Sequence, residues 1–197
     1  MNKFLFGNAK NAAMAIARIA IMMALTILMQ YLTGLLKIQL LTGSVVNLFL
    51  LLSAMLTGLI GGVAVGFITP FIAIPLNLNP HIIAAPFIAF ANAAFVAVFC
   101  LTIYLLKLKD QNVEWKRIAV LVGAIIIAAI VKFLLMYLFA QVIFPAFFAE
   151  QLGQKLEPIK IAFGVTQLFT ALMGGAVATA LYYPLRAAKL ITPAVTE

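Results

Sequence analysis

IAVLVGAIIIAAIVKFLLMYLFAQVIFPAFFA, residues 118–149, contains a single charged residue, Lys132. In a water-soluble core such a lysine would be rare. In a helix that crosses a bilayer, an ammonium near the centre costs roughly 2.5–3.5 kcal/mol on insertion scales, so it faces a bundle interior or a wet cavity and marks a functional position. Lys132 is therefore both the odd residue of the fold and the first candidate for a site.

The rest of the chain supports the bilayer. Of its 197 residues, 66% are hydrophobic and only 9% are charged, with a mean hydropathy of +1.20, too little charge to cover the surface of a soluble domain of this size. A lone cysteine, Cys100, in an apolar run excludes a disulfide framework and a cysteine-based metal site. One histidine and five acidic residues leave little material for hydrolytic or metal-dependent chemistry. The net charge of +8 would suggest nucleic acid in a soluble protein, but here the basic residues flank apolar spans and set topology instead.

The pattern predicts an all-α integral membrane protein, one transmembrane domain over 1–197, built as a six-helix bundle. A short basic segment, 1–11, leads into a first helix over 12–36, long enough to cross the hydrocarbon. A signal peptide is the rival reading of this segment, and no small-residue cleavage site followed by a polar mature domain supports it. Between Ile38 and Leu106 no residue is formally charged, so the turns must be found from Gly, Pro and polar clusters. Thr57, Gly58, Gly61 and Gly62 mark one reversal; Pro75, Asn77, Asn79, Pro80 and His81 mark another. Helices are thus expected over 44–56, 59–76 and 82–106, with kinks or broken helix near Pro70 and Pro86. The polar connector 107–117 reads as the main cytoplasmic loop. A fifth helix runs from Trp115 into Gln141, an outer loop covers 144–158, a sixth helix spans 159–189, and 190–197 is a short tail.

With the N-terminus inside, the inner segments hold Lys3, Lys10, Arg18, Lys107, Lys109, Lys116, Arg117, Arg186 and Lys189, while the outer loops hold Lys37, Lys155 and Lys160. The positive-inside rule therefore predicts N-in and C-in. On the first helix Ala13, Ala17, Ala20 and Ala24 fall on one stripe, small enough for another helix to approach closely. Packing inside the bundle and docking to another protein both explain such a stripe. Ala171, Gly175 and Thr179, with Gly174 and Ala178, form similar stripes on the last helix, read as internal packing.

Polar residues lie sparsely in the outer halves of the predicted spans. Beside Lys132, the candidates for a substrate site are Asn47, Asn92, Gln167, Thr170 and His81, with Gln30, Tyr31 and Thr42 near the same depth. Each alone is better read as a structural hydrogen-bonding group, and His81, beside Pro80, as a loop residue; their common depth is what raises the reading of a site. Met136 and Ala128 share the face of Lys132, whereas Tyr137 lies about 140° around the helix from it.

Four stretches, ARIAIMMALTILMQYL, LTGSVVNLFLLLSAMLTGLIGGVAVGFITPF, IVKFLLMYLFA and VTQLFTALMGGAVATALYYPL, together resemble an S component of an energy-coupling-factor (ECF) vitamin transporter, over nearly the whole chain. The resemblance implies capture of a water-soluble vitamin from outside, in a cavity in the outer half of the bundle. It further implies toppling within a complex of a membrane coupling subunit and two cytoplasmic ATPase subunits, which the alanine face, Ala13, Ala17, Ala20 and Ala24, would contact. Location in a bacterial plasma membrane follows from the same likeness. ATP belongs to the partners in this reading: the chain has no GxxxxGK[ST] loop and needs no cofactor of its own.

A buried ammonium in a vitamin pocket favours an anion, and among the vitamins imported by the family pantothenate is the small carboxylate preferred here. Folate, biotin, niacin and lipoate are anionic too, and cobalamin stays open; cationic thiamine is disfavoured. A stand-alone secondary transporter or channel for a small anion, with Lys132 as its coupling or selectivity charge, is the alternative class. An enzyme is not expected, because no nucleophile with a base and no carboxylate cluster falls at membrane depth. Segments 37–43 and 144–158 are the expected covers of the site.

Overall fold

The computed structural model describes residues 3–7, 9–78, 81–106 and 114–188, without the side chains of Lys3 and Glu114. Most of the connector 107–117, all of the tail 190–197, and Asn79 and Pro80 lie outside the described residues. Those described form helices and no strands: α1 (Lys3–Phe6), α2 (Ala12–Gly34), α3 (Gln39–Ile72), α4 (Ala84–Leu105), α5 (Glu114–Leu138), a π-helical turn (Phe139–Ile143), three short helices α6 (Phe144–Phe147), α7 (Ala149–Leu152) and α8 (Leu156–Ala162), and α9 (Val165–Ala187). Five stretches are long and apolar enough to cross a membrane: Ala12–Gly34, Gln39–Ile72, Ala84–Leu105, Trp115–Phe147 and Val165–Ala187. Asn11 starts α2 by accepting the Met14 N–H on its side chain at 2.9 Å, satisfying one of the helix's open donors.

α3 is not one straight rod. At Gly58 the backbone takes φ 78°, ψ −173°, a left-handed φ that suits glycine. A methyl group placed on Gly62 would lie 2.8 Å from the Ala54 Cα. Eight residues apart on a continuous helix, the two would be separated by about 12 Å, so the chain folds back at Gly58 and the arms 39–57 and 59–72 lie against each other. The glycine and threonine cluster read from the sequence as a reversal is where this happens. Gly7 and Leu5 press against the turn, the Gly7 N only 2.7 Å from where a Gly58 Cβ would stand. Phe4 of α1 stacks on Tyr104 at 4.7 Å between ring centroids. Thus α1, the Gly58 turn and the end of α4 share one end of the bundle. At the other end Gly34 meets Leu78.

Several expected boundaries move. The first arm of α3 begins at Gln39 rather than at 44, because the polar triplet Thr42, Gly43 and Ser44 is helical: Ser44 returns its hydroxyl to Leu40 O at 2.6 Å. The helix expected over 59–76 stops at Ile72, with Pro70 inside it. α5 continues beyond Gln141 through the π turn into α6, so 144–147 is helix rather than loop; Pro145 sits in the first turn of α6, where its missing N–H costs no helical bond. The last span is shorter than 159–189, since Gly164 breaks the chain between α8 and α9.

The core lies between α3, α4, α5 and α9, where Leu50, Leu51, Met55, Phe95, Phe99, Leu121, Ala128 and Tyr182 are fully buried. A second cluster at the end remote from α1 is aromatic: Phe87 packs edge-on against Phe139 at 5.0 Å and Phe144 at 4.9 Å, and Phe163 lies beside Phe144. Threonine and serine hydroxyls inside the helices bond back to carbonyls one turn earlier, as Thr26 does to Met22 O and Thr69 to Val65 O, which removes unpaired donors from apolar surroundings.

Candidate functional site

Lys132 is 4% exposed. Its ammonium donates to Asn47 Oδ1 and to Asn92 Oδ1, both at 2.6 Å, and lies 5.3 Å from the Phe95 ring centroid. Two amide dipoles and an aromatic face offset part of the cost of desolvating the charge. Among the described residues no carboxylate forms an ion pair with it. Of its three donors, two end on asparagine oxygens.

Close helix crossings put these groups together. Gly174 of α9 sits where a Cβ would meet Ser44 O at 2.5 Å and Leu48 N at 2.8 Å, so α9 lies backbone to backbone on the first arm of α3. That contact sets Thr170, one turn away, within 3.2 Å of Asn47 Nδ2, which donates to its hydroxyl; the same hydroxyl donates to Gln167 O at 3.1 Å. Gly66, in the second arm of α3, also lies close to the backbone of Asn92, whose carbonyl carbon would be 3.1 Å from an added Cβ. Each asparagine is thus held by a glycine crossing, with its oxygen turned to the lysine.

The three polar groups form the inner wall of a cavity of about 90 Å³. Gln30 of α2 lines it, with Gln39, Thr42, Gly43, Val46 and Asn47 of α3, Leu78, Ile88 and Asn92 of α4 and its approach, Lys132 and Met136 of α5, and Phe163 and Gln167 beside and on α9. Among the described residues the lining has no acidic side chain, and Lys132 is its one formally charged group.

Of the residues singled out from the sequence, Lys132, Asn47, Asn92 and Gln167 line the cavity, and Thr170 stands behind Asn47. His81 does not line it: its Nδ1 accepts the Ile83 N–H at 3.3 Å, a local turn contact. Gln39 was not singled out, although its place on the same helical face as Thr42 and Asn47 is a readable signal once α3 is known to start there. Met136 lines the cavity and Tyr137 is exposed, as the helical period requires. On α2 the side chains of Ala13, Ala17, Ala20 and Ala24 are all exposed, while Ala15, Met22 and Thr26 face the core. The small residues of α9 point inward instead, Gly174 onto α3 and Gly175 onto Ile125.

Several long apolar helices around a polar cavity define a multi-pass membrane protein; among the described residues no group of three or more His, Cys, Asp or Glu side chains is placed to bind a metal. The family described as ECF transporter, substrate-specific component matches residues 14–186, and the chain belongs to it. Subunits of this kind are transporter components rather than enzymes, and they work with a membrane coupling subunit and ATPases. No curated protein and no solved structure matches the chain.

Proposed function

We propose that the chain captures an anionic vitamin, pantothenate by preference, for an ATP-driven importer in a bacterial plasma membrane, holding the carboxylate on Lys132 with Asn47 and Asn92. The observation that carries this reading is the buried ammonium with a donor left over in an acid-free cavity. A carboxylate placed there exchanges its hydration for a charge-assisted hydrogen bond in a setting where such bonds are strong. Gln167 and Thr170 support the wall; His81 belongs to the turn beside it.

In this reading the chain crosses the membrane six times, the arms of α3 counting as two crossings, with both termini in the cytoplasm. The shared end formed by α1, the Gly58 turn and Tyr104 is then cytoplasmic, and the cavity opens outward. The exposed stripe Ala13, Ala17, Ala20 and Ala24 meets the coupling subunit, and two ATPase subunits supply the energy. Its exposure favours docking over packing inside the bundle.

Titration of the purified protein with pantothenate, biotin, folate, nicotinate, lipoate, cobalamin and thiamine by calorimetry tests the substrate. Tight binding of pantothenate is expected. Tight binding of thiamine alone would overturn the anion reading.

A further inference from the structure

The first arm of α3 supplies one wall of the cavity. Gln39, Thr42, Val46 and Asn47 line it at the spacing of one helical face. Eight residues separate Gln39 from Asn47, a rise of about 12 Å. At the inner end stands the Lys132 ammonium on its two asparagines. The middle is apolar, with Val46, Ile88 and Met136. At the outer end Gln30, from the last turns of α2, joins Gln39 and Thr42 in the lining. Gln167 has already committed its amide N–H to Ala162 O at 2.9 Å, but among the described residues the side-chain amides of Gln30 and Gln39 make no hydrogen bond.

We propose that this arrangement selects a two-ended acid: a carboxylate at Lys132, an apolar waist, and neutral hydroxyl or amide groups at the rim, read by Gln30 and Gln39 as specificity-determining residues. The proposal rests on the reading of this cavity as the vitamin site and narrows its substrate class. An apolar acid such as lipoate satisfies the inner end and leaves both glutamines without a partner. A compact acid such as nicotinate is too short to span from one end to the other. An acid with a hydroxylated or amide-bearing far end satisfies both.

The test compares pantothenate with its dideoxy analogue, in which both hydroxyls are replaced by hydrogen while the carboxylate, amide and length are kept. Binding of each is measured by calorimetry on the wild type, on a Gln30→Leu/Gln39→Leu double variant, and on Lys132→Met. Two lost neutral hydrogen bonds predict that the double variant binds pantothenate roughly tenfold more weakly and the analogue nearly as before. Lys132→Met should weaken both ligands alike. Equal losses for the two ligands on the double variant, no loss for either, or a wild type that does not prefer pantothenate to the analogue, overturns the rim proposal. If both ligands still collapse on Lys132→Met, the anion site stands without it. If Lys132→Met leaves both unchanged, the anion reading itself falls. Gln30 is half-buried, whereas Gln39 is exposed at a helix end, so a Gln39→Leu single variant, which should give part of the same effect, tests the rim without touching the packing of α2.

Discussion

The two halves of this bundle obey different rules. Toward the α1 end the chain is dry and close-packed: Leu50, Leu51, Met55, Phe95 and Phe99 are fully buried, and glycines let helices touch at their backbones. Toward the other end stand an ammonium, amides and a cavity, enclosed by a π turn, three short helices and a layer of phenylalanines. The two asparagines that hold Lys132 lie at the boundary, anchored from the dry side by Gly174 and Gly66. A rigid floor fixes the geometry of the charge, and the irregular half is where shape can change. A cavity of about 90 Å³ is below the roughly 300 Å³ at which small-molecule pockets begin, so the proposed vitamin site requires this half to widen.

The sharpest way to break the contrast is to remove the charge at the boundary. Lys132→Met keeps much of the side-chain volume and removes all three donors. If the ammonium pairs with a ligand carboxylate, affinity should fall by roughly 2–5 kcal/mol, thirtyfold or more. An amide analogue of the vitamin should lose far less, because it has no charge to strand. Measuring both ligands on both proteins closes a double-mutant cycle. A coupling energy near zero in folded protein would make Lys132 structural.

Next in size is the dry side. Gly174→Ala sets a methyl 2.5 Å from Ser44 O and so pushes α9 off α3, which should cost about 1–3 kcal/mol of stability and also slacken the Asn47–Thr170 contact, weakening the vitamin. Gly123→Ala is the matched control. No atom lies within 4 Å of its added methyl, and alanine favours the helix by about 1 kcal/mol, so Tm should hold or rise. Equal Tm losses in the two variants would deny that the α3–α9 crossing is close-packed.

A smaller effect on the chain itself, yet a large one on assembly, is expected at the outward face of α2. Ala20→Trp and Ala24→Trp place bulk on exposed positions, leaving fold and vitamin binding intact while lowering recovery of the coupling subunit and ATPases in co-purification. Undiminished recovery across all four alanines would move the docking surface elsewhere.

Much of this was legible in the sequence because the bilayer leaves few choices. Apolar length located α2, α4 and the bulk of α5 within a few residues, and Thr57, Gly58, Gly61 and Gly62 located the fold-back of α3. Lys132 stood out since an isolated charge in such a run has to meet something polar. What it meets was only half legible: Asn47 and Asn92 share its depth in the sequence, but that both turn their oxygens to one ammonium depends on crossings at Gly174 and Gly66, which periodicity does not reveal. The early start of α3 was hidden by Thr42, Gly43 and Ser44, turn formers in water. Here they are helical, with the bare Gly43 lying against Thr170 and the Ser44 hydroxyl returned to its own helix. His81 drew notice as the one histidine, and its ring serves its own turn.

The last prediction concerns how the outer half opens. Expected covers over 37–43 and 144–158 need redrawing, since 39–43 is the first turn of α3 and 144–147 prolongs α5. The segments free to yield are the short link 35–38 and the stretch 148–164, which packs against Phe87 and Phe144 through a few short helices and Phe163. Short helices have few internal hydrogen bonds to lose, so their opening energy lies at the low end for the fold. Phe163 both lines the cavity and packs on Phe144, so a guest that displaces it disturbs the aromatic layer directly. Bound vitamin should then slow amide hydrogen exchange in 148–164 and 35–38, with little change in the arms of α3 near Leu50 and Leu51, which are already protected. Exchange that slows in those buried arms and not in 148–164 would place the adjustable half at the α1 end, reversing the division between rigid floor and movable roof.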